Sequence, residues 1–84
     1  MLTACNPRSR LMPAGWNARM MRRLGETLRR RHVLPAESGA GRWLEAQFLV
    51  ACAPAWGAHI ARRFRQNAIL CLLRHQPPRL VPCA

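Results

Sequence analysis

At 84 residues the chain has room for one small domain, and a chain of that size hides only about 60% of its unfolded surface. Half of its residues are apolar, which excludes a disordered polar tract. The charge is one-sided: fourteen arginines stand against three glutamates, lysine, aspartate and tyrosine do not occur, and the formal net charge is +11.

These counts narrow the chemistry. Without aspartate there is no Ser-His-Asp triad, and Glu26, Glu37 and Glu45 alone leave paired-carboxylate catalysis almost nothing to work with. Cys5, Cys52, Cys71 and Cys83 contain no C-x-x-C pair, and Cys71 with His75 lacks the partners of a zinc site. No metal or other cofactor is expected. The opening MLTACNPRSR has no long apolar signal core, so a cytoplasmic setting with free thiols is expected. The most apolar window, residues 48–61, contains Pro54 and His59 and falls short of the roughly twenty residues a bilayer requires.

The first predicted element is a short strand, residues 1–5, stopped by the turn Asn6-Pro7-Arg8-Ser9. From Pro13 the residues Trp16, Met20, Leu24 and Leu28 recur every fourth position and predict a helix with one apolar face. Its other face and last turn carry Arg19, Arg22, Arg23, Arg29 and Arg30. Residues 32–35 predict a short edge strand closed by Pro35, and residues 36–41 a loop. The continuous apolar run Phe48 to Cys52, with Glu45 just before it, predicts a strand covered on both faces.

Pro54 opens a second helix in which Trp56, Ile60 and Phe64 form a stripe expected in the core, leaving few rings for base stacking. Gln66-Asn67 ends it, with Asn67 suited to the left-handed cap. Residues 68–73 predict a buried strand, 75–78 a turn and 79–82 a short final strand. The order β-α-β-β-α-β, with that optional last strand, fits a single α+β domain, a two-layer sandwich of the ferredoxin-like type. There the run 68–73 falls at an edge, where six apolar residues call for a neighbour, so an incomplete sheet or pairing with a second copy is expected.

Four stretches, TACNPRS (3–9), NARMMRRL (17–24), WLEAQFLV (43–50) and ARRFRQNAIL (61–70), together resemble a bacterial family of uncharacterised proteins, domain of unknown function family 3293. The resemblance implies no activity. It implies a polar set at Asn6, Ser9, Asn17, Glu45, Gln66 and Asn67, and it marks the chain as an N-terminally truncated member. Arg65 stands where the family usually has glycine, and Ala46 and Gln47 where it usually has proline and serine.

Two functions of different kinds follow. One is a small non-catalytic binding module whose Arg22, Arg23, Arg29, Arg30, Arg62, Arg63 and Arg65 contact nucleic acid or another polyanion. Its counterpart is that the arginine excess is a coding bias for Arg over Lys. The other is a small-ligand or catalytic pocket built from Asn6, Glu45, Gln66 and Asn67. A third reading is a truncated fragment with no independent function.

Overall fold

The computed structural model describes residues 1–7, 10–41 and 44–83. Six elements follow in the order α1 (Ala14–Thr27), β1 (Val33–Ser38), β2 (Glu45–Val50), α2 (Pro54–Arg63), β3 (Ala68–Cys71) and β4 (Arg79–Pro82). β1 and β2 pair as one antiparallel hairpin, β3 and β4 as another. The chain is an α+β fold with an incomplete sheet, as its sequence predicts.

Residues 1–6 lie in the gap between the hairpins. The expected first strand is reduced to one bridge, in which Leu2 and Phe48 exchange two backbone hydrogen bonds of 2.8 and 2.6 Å. On the other side the Met1 amine donates to the Leu70 carbonyl at 2.7 Å, and Gln66 Nε2 donates to the Cys5 carbonyl at 3.0 Å. Burial, the largest influence on that amine, lowers its pKa from the ordinary value. The strands form two separate two-stranded sheets rather than the one four-stranded sheet expected of a ferredoxin-like sandwich. The sense differs: the Leu2–Phe48 bridge is antiparallel, where a split βαβ unit would run parallel. With a single bridge there is little ladder to fix direction, and side-chain bonds at Asn6 set it instead.

The helices cover one face. Leu24 and Leu28, one turn apart, are fully buried, and Ile60, Ala61 and Phe64 of the second stripe join them with Leu2, Ala4, Ile69, Cys71 and Cys83. Met20, Phe48, Val50 and Trp56 pack partly against this cluster. Gly57 allows α2 to press onto β3, since a Cβ there would meet Ile69 Cδ1 at 3.3 Å. Cys5, Cys71 and Cys83 are buried and Cys52 is half-buried, all four as thiols rather than disulfides. No helix among the described residues is long and apolar enough to cross a membrane.

Several strand boundaries depart from expectation. β1 runs through Pro35 to Ser38 rather than closing at Pro35. The register explains how. Ala51 N–H donates to the His32 carbonyl, so alternation puts the Pro35–Phe48 pair at a non-hydrogen-bonded position, where no ladder donor is needed. Pro82 opposite Ala68 is the same case, because Cys83 N–H donates to the Asn67 carbonyl next to it. Both outer strands thus carry a proline. β2 is not covered on both faces along its whole length: Gln47 is 8% exposed while Leu49, on the same face, is 37% exposed. The apolar run from residue 68 ends as a strand at Cys71, with Leu72 and Leu73 exposed, and β4 is the neighbour it called for.

The end of α2 supplies a correction at Arg65. The left-handed position belongs to Arg65, with φ of 57°, and not to Asn67. Gln66 N–H donates to the Ala61 carbonyl at 3.1 Å and Arg65 N–H to the Arg62 carbonyl at 3.0 Å, the two bonds of a Schellman cap. An arginine Cβ there costs about 1–2 kcal/mol, offset in glycine by the entropy of a freer unfolded chain. Arg65→Gly should therefore raise stability by about 0.5–1 kcal/mol, read as a higher urea midpoint at unchanged slope; a fall would show that φ here is not limiting.

Candidate functional site

The polar set converges because residues 1–6 run antiparallel to both neighbours. Asn6, at the end of this segment, thereby meets Glu45 at the start of β2, and Cys5 meets Gln66 at the exit of α2. A parallel arrangement would have put Asn6 and Glu45 at opposite ends of the sheet.

Asn6 is the centre of the cluster. It is 4% exposed with φ of 47°, a conformation asparagine tolerates better than most residues. Its Nδ2 donates to Glu45 Oε2 at 2.8 Å. Its Oδ1 accepts from Met12 N–H at 2.8 Å and from Asn17 Nδ2 at 3.0 Å, while its own N–H donates to Asn17 Oδ1 at 3.0 Å. These donors and acceptors fix the orientation of both amides, because a flipped Asn6 would direct its NH₂ at two donors. Asn17 lies in the first turns of α1, so the hub ties the N-terminal segment, α1 and β2 together.

Around it, Gln66 is 9% exposed and donates from Nε2 to the Cys5 and Phe64 carbonyls. Thr3 Oγ1 donates to the Ala46 carbonyl at 2.7 Å and accepts from Cys5 N–H at 3.1 Å. Asn67 is exposed, with its carbonyl committed to the β3–β4 pairing. Ser9 lies outside the described residues.

A cavity of about 450 Å³ is lined by Thr3, Asn6, Glu45, Gln66 and Asn67, and by Ser38 and Gln47, which the sequence reading did not include. Gln47 is 8% exposed and donates to Ser38 Oγ at 2.8 Å. Its signal was present, since a glutamine in a strand at the edge of an apolar run needs a partner if it is buried. The cavity holds one carboxylate, and none of His32, His59 and His75 lines it. Cys5 is buried with its Sγ 3.8 Å from the Ala46 carbonyl. Among the described residues no cluster of three metal-ligating side chains forms.

The arginines divide differently from expectation. Arg23, Arg29, Arg30 and Arg63 line one depression of about 550 Å³ beside Glu26, Thr27 and Phe64. Arg31 joins them with its guanidinium 3.9 Å over the Trp56 ring. Arg22, Arg62 and Arg65 do not line it, and Arg62 Nε donates to the Cys83 carbonyl, anchoring the C-terminal strand. Trp56, expected in the core, is partly buried against it and also forms a wall of this cleft.

Asn6→Ala removes the hub and strands Met12 N–H, Asn17 and Glu45 without their partner, each worth about 1–3 kcal/mol when buried. A loss of at least about 2 kcal/mol is expected in urea denaturation. Asn6→Gly should lose about 1 kcal/mol less than Asn6→Ala, because it relieves the positive φ while losing the same bonds. Equal losses would assign the whole effect to the hydrogen bonds.

No match was found among curated proteins or among solved structures. A family model described as "Protein of unknown function (DUF3293)" matches residues 2–69, a span that holds Asn6, Asn17, Glu45 and the Gln66-Asn67 pair. On that match, which covers both helices, β1, β2 and the first two residues of β3, the chain belongs to the DUF3293 family of proteins of unknown function.

Proposed function

We propose that this protein is a small non-catalytic module of the cytoplasm that binds nucleic acid through the arginine cleft at the C-terminal ends of α1 and α2. The observation that carries this reading is the gathering of Arg23, Arg29, Arg30, Arg31 and Arg63 around one depression. Basic residues at a helix C-terminus can simply complement the dipole, and the magnitudes decide against that as their whole role. Each helix end carries about half a negative charge, and Glu26 adds one more. Five guanidiniums exceed that demand by roughly three charges. Among the described residues none of the five is in ion-pair distance of a carboxylate. Arginine matches phosphate oxygens with a planar, permanently charged fork.

Affinity for single-stranded oligonucleotides should fall steeply with salt. Replacing Arg29, Arg30 and Arg63 by Gln should reduce the slope of log K against log salt by about two. Replacing the exposed Arg22, Arg65 and Arg74, which lie outside the cleft, should change binding far less. Equal losses in the two triple variants would mean that charge acts without position and would sink the cleft.

A second reading is favoured by the Asn6–Glu45 bond. It presents a half-buried carboxylate to the cavity lined by Ser38, Gln47 and Asn67. That carboxylate suits a small ligand bearing an amine. A panel of primary amines at millimolar concentration should raise the melting temperature of the wild type and not of Glu45→Gln. A panel that shifts neither protein, or both alike, removes this reading.

A further inference from the structure

We infer that the arginine cleft is selective for single-stranded nucleic acid, with an unpaired base stacked on the Arg31–Trp56 pair. This deepens the nucleic-acid reading above and rests on it. Phosphate contacts alone would not distinguish strands, because single strands and duplexes both present them. What differs is access to base faces, which a duplex hides and a single strand offers.

The cleft contains a surface for such a face. Arg31 lies 3.9 Å from the Trp56 ring centroid, the separation of two stacked planar groups. One side of its guanidinium is taken by the indole. Arg31 is exposed and lines the cleft, which leaves its side chain accessible from there. A guanidinium is planar, delocalised and weakly hydrated, and it stacks on bases as well as on aromatic rings. The backbone beneath it is fixed, since Arg31 N–H donates to the Leu28 carbonyl at 2.8 Å and Leu28 is fully buried. The backbone that carries the side chain is therefore ordered before any ligand arrives, and the contact with the Trp56 ring restrains the guanidinium further. Arg29, Arg30 and Arg63 flank this plate on the same cleft, where the phosphates on either side of a stacked base would run.

The test compares a fluorescein-labelled 15-mer of deoxythymidine with a 15-base-pair duplex, by anisotropy at 100 mM salt. Wild type should bind the single strand about tenfold or more tighter, the worth of roughly one stacked base. Arg31→Lys keeps the charge and removes the planar face. It should lose most of that preference while leaving duplex affinity and the salt slope nearly unchanged. Trp56→Leu should do the same, and Arg31→Lys carries the test if that variant folds poorly. Equal wild-type affinity for the two ligands, or a preference untouched by Arg31→Lys, overturns the inference while leaving the polyanion reading intact. Binding to neither ligand overturns both.

Discussion

The fold turns on the carboxamide of Asn6. Residues 1–6 are held to the β1–β2 hairpin by one bridge and to the β3–β4 hairpin by the Met1 amine and Gln66, too few backbone bonds to specify a strand. Asn6 supplies what a ladder would have supplied. It is bonded at once to Asn17 in α1, to Glu45 in β2 and to the backbone at Met12. The direction of the segment, the seating of α1 and the convergence of the polar residues are one arrangement rather than three.

The two polar regions differ in how far their groups are spent. Around Asn6 nearly every donor and acceptor has a partner inside the protein, and no buried side-chain nitrogen or oxygen among the described residues is left without one. Such a network fixes geometry first, and presents to a ligand only what remains, chiefly one oxygen of Glu45. The helix ends are the opposite case. Their arginines are exposed, and the guanidinium of Arg31 lies over a ring. A surface of that kind has most of its capacity directed outward.

Much of this was legible in the residues. The four-residue spacing of Leu24 and Leu28, and of Ile60 and Phe64, located both helices and their buried faces, because apolar periodicity reports which side meets the core. What failed were inferences from local preference alone. Pro35 suggested a strand end, yet proline excludes only positions that must donate, and register decides which those are. Asn67 suggested the helix cap, yet the bonds to Ala61 and Arg62 demanded left-handed geometry at Arg65 whatever residue stood there. Trp56 matched the core stripe, but its ring reaches the protein's edge, where an arginine fourteen residues past Asn17 covers it. Nothing in linear spacing could have paired Arg31 with Trp56.

The placement of residues 1–6 also bears on how the chain is made. Met1 meets Leu70, and Cys5 meets Gln66, contacts spanning 69 and 61 positions. Residues 1–6 leave the ribosome well before Gln66 and Leu70 and can meet them only once those residues have been synthesised. Until then Leu2, Ala4 and Cys5, all buried in the finished protein, have only part of their packing. Long-range closure of this kind slows folding, and it leaves apolar backbone open to other chains in the interval. The joint between the two hairpins is thus completed late, and its competence to form during translation depends on what shields residues 1–6 in the interval.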